Sequence, residues 1–180
     1  MSYCEFTKDL DEKHLDKKYH DFRYGFRVDD DDELFGRLIL EINQAGLNWA
    51  MILKKEEHFF KAFDGFKINV VAKYDEEKIE ELMNNSGIIR NRRKIEAVIY
   101  NAKQIMNIQN KNGSFKLWLD KHIGYSLKEW TKLFRKNFKF TGEKIVEEFL
   151  MSTSYLQGAH DQECEIYNKV IKSKPKWEIK

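Results

Sequence analysis

The 180-residue chain has a single proline, Pro175, two cysteines, and no apolar run near the length of a membrane span. Each scarcity excludes something. With its only proline close to the end, the interior holds no residue that would break a helix through ring geometry. Two cysteines do not make a disulfide scaffold, and a chain of this length with 42% hydrophobic residues buries a core without one. The first residues include Glu5, Lys8 and Asp9, which leaves no apolar stretch for a secretory signal, so the expectation is a cytoplasmic protein with no membrane contact. Also missing are a glycine-rich phosphate loop of either nucleotide-binding pattern, an H-E-x-x-H zinc motif and a G-x-S-x-G elbow.

What is present reads as helix. Strand-like alternation is nearly absent, helix formers dominate, and apolar residues recur at three- and four-residue spacing, which predicts an all-α fold. Leu34, Leu38, Ile39 and Ile42 mark one helix, introduced by the acidic run Asp29 to Glu33 that suits a positive helix N-terminus. Trp49, Ile52, Leu53, Phe59, Phe60 and Phe63 mark the next, with Gly46 ending the first and Asn48 capping the second. Further helices are expected from Glu76 to Asn84, Arg90 to about Ile108, Phe115 to about His122, Leu127 to Lys136, Glu143 to Tyr155 and Gln162 to Lys172. Ser86-Gly87 separates two of them just before the basic group Arg90, Arg92, Arg93, Lys94. Helix, glycine turn and basic helix start form a helix-hairpin-helix candidate, in which outward backbone N–H groups near Gly87, Ile88 and Ile89 would receive a DNA phosphate. Any αα-hairpin has this outline, and the formal net charge of +2 adds no argument for nucleic acid; solvated helix faces explain the charge runs equally well.

Two polar clusters are candidates for chemistry. Glu41, Asn43 and Gln44 interrupt an apolar helix just before the Ala45 to Trp49 turn, and a buried carboxylate in such a setting marks a site, although Glu41 could equally face solvent beside Arg37. Cys4, His20, His160 and Cys164 add up to two sulfurs and two nitrogens, a donor set that suits tetrahedral zinc, with His160 and Cys164 four residues apart. A long-range disulfide, two free thiols and chance placement are the other readings.

In chain order, Cys4, Tyr19-His20-Asp21 with Gly25, Leu40-Glu41-x-x-Gln44-Ala45-Gly46-Leu47-x-Trp49, Gly87-Ile88-Ile89-Arg90-Asn91-x-x-Lys94-Ile95, Phe138 to Gly142 and His160-x-x-x-Cys164 resemble the DNA-3-methyladenine glycosylase I family over essentially the whole chain. The resemblance implies a helix-hairpin-helix DNA glycosylase fold whose termini are joined by a structural Zn2+ held by Cys4, His20, His160 and Cys164. It implies a zinc-containing lobe from 1–44 and 116–180, and a central lobe from 45–115 with the hairpin near 80–95. Glu41 is the implied catalytic residue, and the base would bind among Tyr19, Trp49, Glu41, Gln44 and Phe6. Gly87, Ile88, Ile89, Arg90, Arg92 and Arg93 would hold the DNA backbone. The implied partner is double-stranded DNA containing alkylated bases, the product 3-methyladenine, and the working form a monomer. N3-methyladenine is cationic in DNA, so a carboxylate and aromatic faces favour it over adenine, and its charge already weakens the bond to deoxyribose. No aspartate lies between Asp75 and Asp120, where many helix-hairpin-helix glycosylases carry a catalytic one, and in this the chain agrees with the family it resembles.

The chain departs from the family's pattern at Phe6, in place of tryptophan, at Arg23-Tyr24, in place of Glu-Trp, and at Glu147 and Glu148, in place of small or polar residues; the loop before His160 is slightly longer. An arginine near the pocket would repel a cationic base. A glycosylase for another modified base and a non-catalytic zinc-stabilised DNA-binding module are the alternative readings.

Overall fold

Side-chain caps begin most helices in the computed structural model, which describes residues 2–179. Among these residues there are eleven α-helices and no strand: α1 Tyr3–Thr7, α2 Leu15–Phe22, α3 Asp31–Gln44, α4 Trp49–Ala62, α5 Ile68–Val71, α6 Glu76–Asn84, α7 Arg92–Asn112, α8 Phe115–Asp120, α9 Leu127–Asn137, α10 Glu143–Ser152 and α11 Glu165–Lys172. Asp30, Asn48, Asp75, Asn91 and Ser114 each accept a hydrogen bond from an amide in the first turn of α3, α4, α6, α7 and α8, and Ser126 forms a capping box with Glu129 on α9. The caps move some expected boundaries: α7 starts at Arg92 because Asn91 is its cap, and α11 waits until Glu165, after Cys164. Helix α10 stops at Ser152 because Ser154 takes a left-handed conformation with φ +69°. No helix among the described residues is long and apolar enough to cross a membrane.

Helix α3 is the axis of the molecule. Every residue from Leu34 to Asn43 is buried, as expected of a helix surrounded on all sides, and α4, α7, α8 and α10 pack around it. One continuous apolar core runs from Leu34 and Phe35 through Ile52, Phe59, Ile95 and Val98 to Trp130, Phe149 and Tyr155, so segments 45–115 and 116–155 share it. A small second cluster, Tyr19, Tyr24 and Leu53, lies at α2 and α4.

Buried polar groups tie the helices together. Both carboxylate oxygens of Asp31 are used by α8, accepting from the Phe115 and Lys116 amides at 2.8 Å each. Buried Asn101 of α7 bonds both the N–H and the C=O of Lys139, which fixes the strap leading into α10. Near the C-terminus, Lys176 is 1% exposed, and its ammonium lies 2.8 Å from Asp120 and 3.3 Å from Asp29. That pairing anchors the tail, with the Trp177 amide donating to Ser154.

Candidate active site and metal cluster

The sharp turn after α3 aims its last residues into a cleft. Gly46, at φ +81°, permits the reversal, and the Gln44 side-chain amide donates to the Leu47 carbonyl at 2.9 Å. Trp49, the first residue of α4, is thereby brought against Tyr19 of α2, with ring centroids 5.0 Å apart. Glu41, Gln44, Tyr19 and Trp49 all line a cleft of about 410 Å³. Phe6 is not among the lining residues; it is 45% exposed and stacks outside on Tyr3, whose ring occupies the cleft instead. Tyr24, Lys144, Glu148 and Asp161 also line the cleft; the first three carry no mark in the sequence beyond their departure from a family pattern or their helix position.

Glu41 is only 5% exposed. Burial and the neighbouring Glu148 carboxylate push its carboxyl up to about 8, against the opposing pull of Arg37 and Lys144. It is therefore a protonated, buried acid at neutral pH, able to donate a proton to a hydrogen bond or to give up that proton to solvent when a cation arrives. Tyr19 is fully enclosed; its hydroxyl accepts from Arg37 at 3.3 Å, and burial raises its phenol to about 12. Tyr24 donates to Glu148 at 3.0 Å, which with burial holds its own phenol far above the usual range.

Arg23 stands apart from this chemistry, contrary to the expectation that it would place a repulsive charge by the base. Its guanidinium makes a bidentate pair with Glu56 at 2.6 and 2.7 Å and lies over the Tyr19 ring, where it lines a separate groove with Glu33 and Phe60. The short reach to α4 is the reason: Glu56 takes up the charge before it can face the cleft.

Beside the cleft, α1, α2 and the 158–164 segment bring Cys4, His20, His160 and Cys164 together, their ligand atoms within 4.8 Å of one another. The two nitrogens are 3.2 Å apart, and the nitrogen to sulfur separations run from 3.3 to 3.9 Å. Zinc bonds of about 2.0–2.1 Å to nitrogen and about 2.3 Å to sulfur imply tetrahedral edges of roughly 3.3 to 3.8 Å, close to the nitrogen–nitrogen and nitrogen–sulfur separations here, and two thiols with two imidazoles are donors that suit that ion. The remaining imidazole nitrogens are already engaged: His20 Nδ1 donates to Asp21 at 2.7 Å and His160 Nε2 to the Tyr24 carbonyl at 2.7 Å, which leaves Nε2 of the first and Nδ1 of the second as lone-pair donors. Both cysteines are free. Gly25, at φ +82°, makes this approach possible, because a Cβ there would sit 2.8 Å from Ala159 and 3.1 Å from His160.

At the α6–α7 hairpin the structure divides the expected DNA-binding residues. The Gly87 amide donates to Asn85 Oδ1 at 2.8 Å and the Ile88 amide to the Asn85 carbonyl, so these two N–H groups face inward rather than outward, and the Ile88 side chain is buried. Asparagine's habit of bonding the backbone two residues on explains the Gly87 contact, and a backbone turn the Ile88 one. Lys55 of α4 clamps the turn by donating to the carbonyls of Ser86 and Gly87. Arg92 is committed to Glu76, Glu80 and Glu96 and braces the two helices. Ile89 is half-buried, while Arg90 and Arg93 are exposed and make no ion pair among the described residues.

Comparison with known proteins gives a consistent picture. The sequence profile described as methyladenine glycosylase matches residues 9–132. The chain is 39% identical over 97 residues to the DNA-3-methyladenine glycosylase of Haemophilus influenzae and, over a stretch of the same length, to DNA-3-methyladenine glycosylase 1 of Escherichia coli; each match covers 54% of this chain and 52% of the relative. It thus spans about half the length of these relatives in sequence. In structure it resembles 3-methyladenine DNA glycosylase I from Staphylococcus aureus, solved to explain 3-methyladenine recognition, with a TM-score of 0.78 and 28% identity, covering 87% of this chain and 93% of that one.

Proposed function

The chain belongs to the methyladenine glycosylase family, and on that footing we propose that it is a DNA repair enzyme that flips 3-methyladenine out of alkylated duplex DNA and hydrolyses its N-glycosidic bond. The observation that carries this reading is Glu41, a buried carboxyl in a cleft walled by Tyr19 and Trp49. An adenine methylated at N3 is positively charged while attached to the sugar. Glu41 would meet that charge as a carboxylate, the aromatic faces would add cation–π attraction, and neutral adenine would gain neither.

Hydrolysis then needs little from the protein. The bond from the base nitrogen to C1′ breaks with its electron pair moving onto the cationic base, which leaves neutral; water adds to C1′ and releases a proton. The chain's own residues bind the extruded base, orient it and exclude bulk water. Glu41 is the group we assign to the bound base, with Gln44 keeping the turn behind it in place.

A structural zinc fits Cys4, His20, His160 and Cys164, and in this reading it clips the two ends of the chain together without touching the reaction. The α6–α7 hairpin would serve as a helix-hairpin-helix grip on the phosphate backbone, through Ile89 and the free charges of Arg90 and Arg93, independent of sequence. The test is chromatography of bases released from methylated duplex DNA. Release of 3-methyladenine supports the proposal; DNA binding with no base released would replace it by a binding module, and release of a different base by a glycosylase of another specificity.

A further inference from the structure

Glu148 enters the cleft from α10, a different helix from the one that carries Glu41, and nothing in the reaction proposed above uses it. Its Oε2 accepts from Tyr24 at 3.0 Å, and its Oε1 lies 2.9 Å from the Lys144 ammonium. That ammonium has a second partner, Glu147, at 3.2 Å, and the Lys144 side chain is 75% exposed. On the cleft lining, acid outweighs base: Glu41, Glu148 and Asp161 stand against Lys144, with Arg37 behind Tyr19. Two carboxyls facing one small cavity are a costly arrangement, and the repulsion between them is relieved when positive charge enters.

We infer that Glu148 is a second selectivity determinant of the cleft, which makes it accept cationic purines and reject neutral ones, with Tyr24 holding the carboxylate in position and Lys144 serving as a displaceable counter-ion. The inference rests on the glycosylase reading and deepens it. In the empty cleft Lys144 offsets Glu148. A cationic base takes that place, and Lys144, on a flexible and exposed stem, withdraws onto Glu147. A neutral purine cannot make the exchange: it would leave Lys144 in the way or the Glu148 carboxylate unbalanced in a desolvated cavity beside the protonated Glu41, and discrimination comes from that penalty as much as from the attraction.

The experiment is equilibrium binding, read by quenching of tryptophan fluorescence, with two ligands that have a methyl group where the sugar would be. One is 3,9-dimethyladeninium, with a fixed positive charge, and the other is neutral 9-methyladenine. The wild-type chain should prefer the cation. Glu148→Gln, which keeps the size of the side chain, should lower the ratio of the two affinities about tenfold, and Glu148→Ser should do the same if charge rather than shape is the cause. Tyr24→Phe should lower the ratio less, and Lys144→Ala should raise affinity for the cation. An unchanged ratio in both Glu148 variants, beside a collapsed ratio in Glu41→Gln, would overturn this inference and leave the glycosylase reading standing. A wild-type chain with no preference for the cation would overturn both.

Discussion

The ammonium of Lys94, near the start of α7, donates to the Asn43 carbonyl at 2.9 Å and to the Ala45 carbonyl at 2.9 Å, so the hairpin helix closes the C-terminal end of the helix that carries Glu41. A cation at a helix C-terminus meets the negative end of the dipole and satisfies carbonyls that have no partner within the helix. Burial lowers the Lys94 amine below its ordinary value, a cost accepted for that position.

Lys94→Met is therefore expected to lower stability by about 1–3 kcal/mol, since it leaves buried carbonyls unsatisfied. Chemical denaturation checks it. The same variant should weaken purine binding in the cleft, because the end of α3 and the Gly46 turn lose their brace; a variant as stable as the wild type would remove Lys94 from this role.

Glu41 makes stability depend on pH with a definite sign. Its carboxyl titrates near 4.5 when unfolded and at about 8 when folded, so the folded chain binds the proton more tightly. That contribution is fully present below the unfolded value and is lost as pH rises through the folded one, at about 1.4 kcal/mol per unit in between. Glu41→Gln removes the dependence. Denaturation at a series of pH values from 5 to 9 should show the variant gaining on the wild type as pH rises, and a constant difference would contradict the burial argument.

The metal cluster gives a prediction independent of DNA. Purified protein should contain one zinc per chain, and Cys164→Ala or a strong chelator should free the two termini first, because a structural zinc site contributes folding free energy directly. Limited proteolysis after chelation should cut near α1 and the 158–164 segment before it reaches α3. Metal-free protein with the same proteolytic pattern and melting temperature would exclude a structural role for the ion.

At the hairpin, Arg90→Ala and Arg93→Ala should each weaken binding to undamaged duplex and reduce the slope of log affinity against log salt by about one. Arg92→Ala should act differently, with a loss of hairpin stability and little change in slope, since its charge is already held by Glu76, Glu80 and Glu96. Equal slopes for all three variants would mean that the ion pairs open on DNA.

Local signals carried much of this molecule in its sequence. The all-α class followed from periodicity, and Asp30, Asn48 and Ser126 stand where polar caps precede apolar helices. Short α1, α2 and α5 leave no clear signal in the sequence, because a turn or two of helix has too little periodicity and is held by its neighbours. The cleft was legible where a residue was out of character, as Glu41 is on an apolar helix. Tyr3 and Glu148 are not legible as cleft residues: a tyrosine near the N-terminus and a glutamate on an amphipathic helix are ordinary, and only the packing of α1 on α2 and of α10 on α3 brings them to the cleft. The same holds for Arg23, whose partner Glu56 lies on α4 and is not marked by the sequence. Nor does the sequence mark Asn85 as the partner of the Gly87 and Ile88 amides, since asparagine before a glycine turn is ordinary.

Recognition of a cationic base by Glu41 is read out by single-turnover release of 3-methyladenine from methylated duplex, wild type against Glu41→Gln. Glu41→Gln is expected to lose at least about 100-fold in rate, with the fold intact by circular dichroism and DNA affinity nearly unchanged. Release by Glu41→Gln at the wild-type rate would contradict it and move the chemistry out of this cleft.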